Sequence, residues 1–313
     1  MSDTPTGNSR DEAPAPDRKG PWRVVLSVLV PIAVIAVLVY VIAGNGGQIA
    51  HAFKRTSLAQ LALVTGLAFV TLIARTEAVV ACLNAMGERP LRRDIHAANS
   101  LTFLAATINH YASSIVRGAL MRRIDRDRSP TIPQMVMVDT STTLIEALIV
   151  GILVVVSASA LKLDWWVPVL ILFACVSGVA VALHLRQRFA HRELFRGLDV
   201  LVHSRQRVVV AGLMLVVIVT QVVRTLIVLR AVGLDPTLLQ AVATFVAGGV
   251  LSSLFAGPGA GTAGGPLIVF GHTSLAASAA AGLELSITSL IAGIIYAIVG
   301  GPMFLWRLRQ AYA

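Results

Sequence analysis

The sequence predicts an all-α fold, a polytopic transmembrane helical bundle with about seven full spans plus two re-entrant or broken helical hairpins. The first observation is composition: 56% of the 313 residues are hydrophobic and 13% are charged, about half the charged share of roughly 25% that is usual in soluble domains. The second is that the apolar runs are too long for buried strands. Because lipid offers no partner to an open sheet edge, the spans must be helices.

The chain divides into a polar tail and one membrane domain. Residues 1–20 are rich in Pro, Asp, Ser and Arg, which predicts a disordered cytoplasmic tail. Residues 21–313 are predicted to form a single transmembrane domain, since a helix needs about 20 apolar residues to cross the hydrocarbon. The candidate segments are, in order, 24–43, 58–83, 97–116, 132–157, 165–184, 208–229, 238–256, 266–282 and 284–305.

The distribution of Lys and Arg predicts the orientation. With cytoplasmic termini and a segment 97–116 that returns to its own side, 20 of these residues lie on the cytoplasmic side and 4 outside. If the segment crosses, the best division is 15 against 9. The positive-inside rule therefore favours a re-entrant hairpin at 97–116, and the many Asn, Thr and Ser of this segment are too polar to face lipid.

A second irregular stretch covers residues 244–282, where Gly and Pro are dense enough to break a helix. The pattern leaves open whether its two arms span the membrane or re-enter. One broken region in each half of the chain is typical of inverted repeats with a binding site between them. We therefore expect such a repeat from hydropathy.

Ionisable residues at membrane depth cost about 2.5–3.5 kcal/mol each on insertion scales and need a reason. Asp139, Thr142, Thr143 and Glu146 are spaced so that they share one helix face. This face predicts a polar cavity with substrate-binding Asp139 and Glu146, or a buried ion pair that only holds helices together. The candidate partners in such a pair are Arg75, Arg117 and Arg224.

The first hairpin carries the second group of candidate substrate-binding residues. Asn109 and His110 fall near its turn, and Ser113, Ser114 and Arg117 follow. A half-helix that starts near Ser113 would point free backbone N–H groups into the membrane and bind an anion such as a lipid phosphate. The alternative is that the serine is only a helix cap and that His110 is a satisfied buried histidine.

Four further charged positions have an open or structural interpretation. Arg224 lies in the outer half of segment 208–229, where its guanidinium would hold a phosphate or extend toward the surface. Glu284 is expected to open the last helix, where a carboxylate suits the positive helix end. Arg75 and Glu77 are expected to extend to the membrane interface.

Several function classes are excluded or disfavoured. The net charge of +10 lies in short runs between apolar segments, which indicates membrane topology and anionic lipid headgroups rather than nucleic acid. Zinc-protease, nucleophile-elbow and phosphate-loop motifs are absent from the sequence. We expect a protein that is not an enzyme, with no catalytic residue, metal or cofactor.

Two stretches carry a resemblance to a known family: NHYASSIVRGALMRR with the following MVMVDTSTTLIEALIV, and FAGPGAGTAGGP. They resemble the flippase-like membrane family named for the transmembrane region of lysylphosphatidylglycerol synthase. Arg117 matches the family's arginine and Asp139 its acidic position. Ser113 and Ser114 stand where the family often has Gly-Glu, and Pro266 follows Gly265 where it often has a glutamate.

The resemblance covers roughly residues 20–310 and implies lipid handling without the soluble aminoacyl-transferring domain. The predicted function is translocation, or handling, of an anionic or lipid-linked amphiphile in the inner (cytoplasmic) membrane, with Glu146 as proton carrier. The expected partners are anionic or polyprenyl-linked membrane lipids and lipid-synthesis enzymes. The alternatives are a secondary transporter of a soluble solute, a membrane-embedded transferase that uses His110, and a non-catalytic scaffold of a lipid-synthesis pathway.

Overall fold

The computed structural model describes residues 47, 54–88, 90–108, 110–125, 129–189, 191–254 and 258–312. The predicted tail at 1–20 and the first predicted span at 24–43 lie outside these residues. The described part of the chain is predominantly helical and holds no strand, which confirms the all-α prediction. A 3₁₀ helix, Glu193–Leu198, lies between an α-helix that ends at Arg188 and one that begins at Asp199. The α-helices of the described ranges are α1 Leu58–Ala85, α2 Arg92–Ile108, α3 His110–Ile124, α4 Ile132–Ser157, α5 Trp166–Arg188, α6 Asp199–Val202, α7 Ser204–Ala231, α8 Leu238–Leu254, α9 Pro258–Phe270 and α10 Leu275–Tyr312.

Five of these helices, α1, α4, α5, α7 and α10, are long and apolar enough to cross a membrane. The shortest, α5, has 23 residues and is about 34 Å long at 1.5 Å per residue, which exceeds the hydrocarbon thickness of about 30 Å. The chain is therefore a multi-pass membrane protein. Segments 266–282 and 284–305 were predicted wrongly as separate helices, because the chain turns between Phe270 and Leu275 and then stays helical for 38 residues.

Local sequence explains where three helices begin. A Ser or Thr followed three residues later by Gln forms a capping box, in which each side chain bonds the other residue's backbone N–H. Ser57 with Gln60 starts α1, and Thr131 with Gln134 starts α4. Thr237 bonds Gln240 in the same way at the start of α8.

The chain forms a helical hairpin at the predicted place, with wider bounds than 97–116. Its arms α2 and α3 have 17 and 15 residues, about 26 and 22 Å, so each is shorter than the hydrocarbon thickness. The two arms share one cavity, which is lined by Asn99 and Thr102 of α2 and by Ser113 and Arg117 of α3. We call α2 and α3 the first hairpin.

The irregular stretch at 244–282 contains a second hairpin, formed by α8 and α9. Its arms approach each other backbone to backbone, because a Cβ added at Gly265 would lie 2.5 Å from the Thr244 carbonyl oxygen, and one at Gly248 would lie 2.9 Å from the Gly261 carbonyl oxygen. Contacts between 244 and 265 and between 248 and 261 require antiparallel arms. Small residues permit this close approach, as in other membrane helix pairs.

The core consists of two main clusters at opposite ends of the bundle. The first joins the end of α1 to the starts of α4 and α7, through Leu83, Val138 and Met214. The second joins Val64, near the start of α1, to Val228 and to the start of α10. Helix α1 is therefore antiparallel to α7, and helices α4 and α10 begin at opposite ends of the bundle.

Candidate functional site

A polar cavity of about 140 Å³ lies between α1, α2, α3, α4, α7 and α10. Its walls are formed where the first hairpin meets the polar face of α4, with α1 and α10 closing the other sides. A cavity of this volume has room for several water molecules. Its polar lining consists of Arg75, Asn99, Thr102, Ser113, Arg117, Asp139, Thr142, Thr143 and Tyr296.

The ion pair between Arg117 and Asp139 joins the first hairpin to α4. Arg117 Nη1 donates to Asp139 Oδ1 at 2.9 Å, and the Ser114 hydroxyl donates to the other carboxylate oxygen. Arg117 is only 7% exposed, and its Nε atom is buried without a hydrogen-bond partner among the described residues. A buried donor with no acceptor costs about 1–3 kcal/mol, so this guanidinium retains an unused capacity to bind an oxygen.

A second ion pair closes the neighbouring side of the cavity. Arg75 donates to both carboxylate oxygens of Glu146, from Nη1 at 3.0 Å and from Nη2 at 2.5 Å. Bidentate pairs of this kind are stronger than single hydrogen bonds. Of the two expectations for Arg75, the structure has the ion pair with the acidic face of α4, and the Glu146 carboxylate holds the guanidinium beside the cavity.

The predicted polar face of α4 is turned toward this site. Asp139, Thr142 and Thr143 line the cavity, and Glu146 lies one turn further along the same face. The two arginines and two carboxylates are mutually neutral, which lowers the cost of keeping four charges at this depth. An entering anion would have to take a guanidinium from one of the carboxylates.

A hydrogen-bonded chain leads from the cavity to the end of α1. The Tyr296 hydroxyl lies 2.8 Å from His96 Nδ1, and His96 Nε2 lies 2.7 Å from Glu77 Oε1. Glu77 also accepts from Nε of Arg92 at 2.6 Å, and this hydrogen bond raises the pKa of the exposed Arg92 guanidinium above its ordinary value. Glu77, which was predicted to extend to the interface, is held between these two partners, of which Arg92 is exposed.

Sequence reasoning missed Asn99, Thr76, His96 and Tyr296 as parts of one network. Asn99 donates to the Thr76 hydroxyl, which lies 3.0 Å from the Tyr296 hydroxyl. The available signal was the presence of His and Tyr in otherwise apolar segments. That signal does not identify the partners, because Thr76 and Tyr296 are 220 positions apart.

Arg224 does not belong to the cavity. It is 1% exposed and donates to the Leu285 carbonyl oxygen, to Thr288 Oγ1 at 2.9 Å and to Ser289 Oγ at 2.7 Å. Its Nη1 donates to Gln221 at 3.1 Å. An arginine that extends to the surface is therefore excluded, and α10 encloses this side chain.

Glu284 was predicted wrongly to open the last helix. Helix α10 begins nine residues earlier, at Leu275, so the Glu284 carboxylate lies inside the helix and is 0% exposed. The Thr56 hydroxyl donates to its Oε2 at 2.9 Å, and Oε1 is buried with no partner in the described part of the chain. The apolar residues before Glu284 continue the helix and provide no stop signal.

The structure brings together five of the predicted site residues. Ser113, Ser114, Arg117 and Asp139 meet at the cavity, and Glu146 adjoins it through its arginine partner. The half-helix begins at His110 rather than near Ser113, so Ser113 lies within the first turn instead of capping it. Asn109 and the side chain of His110 lie outside the described residues.

Comparison with known proteins adds no relative. No family model, no curated protein and no solved structure matches the chain.

Proposed function

We propose that this protein translocates the head group of an anionic or lipid-linked amphiphile across the cytoplasmic membrane, through the cavity beside Arg75 and Arg117. The observation that carries the proposal is Arg117. It is a nearly buried guanidinium in a membrane helical hairpin, it adjoins a polar cavity of about 140 Å³, and one of its donors is unused. The resemblance to the flippase-like membrane family supports the same reading.

The chemistry favours a phosphate or another oxyanion. A guanidinium presents planar donors that match phosphate oxygens in pairs. Asp139 and Glu146 occupy these donors when no ligand is bound, and an entering phosphate replaces one carboxylate. Each arginine therefore has an anionic partner at every stage, either a carboxylate or the phosphate, which avoids the cost of an uncompensated buried charge.

The exposure of Arg75 favours a lipid over a soluble solute. Its side chain is 42% exposed, although it lies only about one turn from the middle of α1. A guanidinium that can be reached at this depth suits the phosphate of a lipid whose head group leaves the interface. The lipid chains would stay in the bilayer while only the head group enters the cavity.

Transport would be passive or proton-coupled, since the sequence has no nucleotide-binding motif. Glu146 is the proposed proton carrier, because phosphate displaces its carboxylate from Arg75 and protonation removes the repulsion between the two anions. The hydrogen-bonded chain from Tyr296 through His96 and Glu77 offers protons a route between the cavity and the surface.

The proposed orientation places both termini in the cytoplasm, as the Lys and Arg distribution favours. The first hairpin then enters from the cytoplasmic side. Anionic or polyprenyl-linked lipids made at that face would reach Arg75 and Arg117 first, and lipid-synthesis enzymes are the proposed protein partners.

The test uses purified protein in liposomes that contain labelled phosphatidylglycerol or a labelled polyprenyl-phosphate sugar. The variants are Arg117→Ala and Glu146→Gln, and the matched control is Arg205→Ala, an exposed arginine at the start of α7. We expect leaflet exchange in the wild type and the control and its loss in Arg117→Ala.

A parallel arm measures uptake of labelled glycerol phosphate into the same liposomes. Uptake without lipid exchange would show a secondary transporter of a soluble anion instead. If folded protein moves neither lipid nor glycerol phosphate, the proposal is overturned in favour of a scaffold role.

A further inference from the structure

A short sequence is repeated in helices α1 and α7. Residues 70–76 read VTLIART and residues 219–225 read VTQVVRT, with four of seven positions identical. The match aligns Arg75 with Arg224, and Thr71 with Thr220. These two helices are also equal in length, with 28 residues each.

Two further matches follow in the same order. TFLA at 102–105 in the first hairpin matches TFVA at 244–247 in the second, and IEALIVGI at 145–152 in α4 matches ITSLIAGI at 287–294 in α10. Both matches have the same offset of 142 positions. Matched stretches therefore occur in a long helix, in the first arm of a hairpin and in the helix that follows the hairpin, once in each half of the chain.

Contacts in the folded chain relate the same matched residues of the two halves. The hydroxyls of Thr71 and Thr220 lie 3.0 Å apart, and two equivalent residues of antiparallel helices meet in this way only where a two-fold axis passes between them. Arg75 bonds Glu146, and Arg224 bonds Thr288 at 2.9 Å; positions 146 and 288 are matched in the repeat. The arginine and its partner helix thus correspond in both halves.

We infer that residues 70–152 and 219–294 are two copies of one unit in opposite orientations, and that Arg224 marks a second, closed site for the same anionic group. This second site opens to the opposite face of the membrane when the cavity beside Arg75 closes. The identity of the ligand rests on the proposed function, whereas the repeat does not.

The two halves differ in how exposed their matched arginines are, and this difference indicates the conformational change between them. Arg75 adjoins a cavity and its side chain is 42% exposed, whereas Arg224 is 1% exposed. Thr102 lines the cavity of the first hairpin, but its counterpart Thr244 lies against Gly265, where the arms of the second hairpin touch. In an inverted repeat, exchange of the two conformations carries the site from one face to the other.

The closed site already contains unused polar atoms. Arg224 Nε and Glu284 Oε1 are both buried without a hydrogen-bond partner in the described ranges, although both side chains are fully enclosed. An opening of the second half would present the guanidinium to a phosphate and the carboxylate to a proton. The same pair of groups, an arginine and an acid, serves the first site.

The experiment uses matched cysteines at Leu72 and Gln221, each three residues before its arginine. Both are introduced singly into a chain whose own cysteines, Cys82 and Cys175, are replaced by Ala. Sealed vesicles of each orientation are treated with a membrane-impermeant maleimide. We expect Leu72→Cys to react from one face and Gln221→Cys to react from the other face only, at a rate at least about tenfold lower.

An exchange variant tests the correspondence directly. Glu146→Thr combined with Thr288→Glu gives the arginine of each half the partner residue of the other half. We expect this exchange to raise the labelling rate of the cysteine at position 221 and to lower that of the cysteine at position 72. The control exchange is Ile73→Val with Val222→Ile, a matched apolar pair, and it should leave the ratio of the two rates unchanged.

Labelling of both cysteines from one face would overturn the inference. It would be overturned equally if position 221 stayed unreactive from either face in the exchange variant, or if that variant left the rate ratio unchanged. Dihexanoyl phosphatidylglycerol and inorganic phosphate are added in separate arms. Protection of both sites by the lipid alone supports a lipid head group, and protection by both compounds supports any phosphate. If labelling alternates and neither compound protects, the repeat stands and the anionic ligand of the proposed function is refuted.

Discussion

Substitutions in the buried ion pair between Arg117 and Asp139 distinguish a structural role of this pair from a role in ligand binding. Asp139→Ala removes the acceptor of Arg117 Nη1 and leaves that guanidinium, which is 7% exposed, without a counter-charge. Breaking one partner of a buried pair costs about 3–5 kcal/mol. The Asp139 side chain is 22% exposed, so water screens part of the charge and the lower value of about 3 kcal/mol applies.

The double variant Arg117→Met with Asp139→Leu removes both charges and keeps an apolar volume. Because the desolvation cost of both ions disappears, we expect stability within about 1 kcal/mol of the wild type, or higher. At about 2–4 °C per kcal/mol for a domain of this size, the single variant should melt roughly 6–12 °C lower and the double variant near the wild type.

The assay is thermal unfolding in detergent, paired with leaflet exchange in liposomes. We expect the double variant to be stable but inactive, because the cavity has lost the guanidinium that is proposed to bind the phosphate. Two results would refute the reasoning. A double variant as unstable as Asp139→Ala would show that the pair only holds the helices together. A stable double variant with normal lipid exchange would show that Arg117 does not bind the substrate.

Three further predictions concern single residues. Gly265→Ala places a Cβ 2.5 Å from the Thr244 carbonyl oxygen and should lower the free energy of unfolding by about 1–3 kcal/mol through overpacking. The Cβ of Gly249→Ala meets no atom within 4 Å, so this variant should be neutral or stabilise the protein by up to about 1 kcal/mol. Thermal unfolding measures both variants, and equal effects would contradict the close packing of the second hairpin. Glu146→Gln keeps an acceptor for its arginine partner but cannot carry a proton, so lipid exchange measured across a pH gradient should lose its response to the gradient, and an unchanged response would exclude this residue as the carrier. Thr131→Ala removes the capping box of α4 and should lower the free energy of unfolding by about 1 kcal/mol, with no change in lipid exchange per folded molecule; a loss of exchange would place this helix start in the transport step.

The all-α class and most helix positions could be predicted from the sequence because the membrane leaves few choices. A run of about 20 apolar residues must form a helix in lipid, and the segment predicted at 132–157 coincides with α4. The polar face of α4 could also be predicted, since the helical period alone places Asp139, Thr142 and Thr143 on one side. Such inferences need only neighbours in sequence.

The helix boundaries near the second hairpin were harder to predict from the sequence. Glycine and proline mark residues 257–266 as irregular, yet α9 runs through Pro266, because the close backbone contacts of this hairpin compensate for a poor helix sequence. Glu284 was misplaced for the opposite reason. The preceding alanines extend α10 backward, and a carboxylate that suits a helix start lies inside the helix instead.

The partners of the charged groups were decided by tertiary structure alone. The sequence contains Arg75, Arg224, Glu146 and Glu284, but it does not state that the first arginine pairs with Glu146 at the cavity while the second is enclosed by α10. Contacts between residues 61 or more positions apart depend on how the helices pack. The sequence by itself thus determined which segments enter the membrane and which of their faces are polar, because hydropathy and helical period are local properties. The cavity, the two arginine environments and the contact between Thr71 and Thr220 arise only when distant helices are packed together.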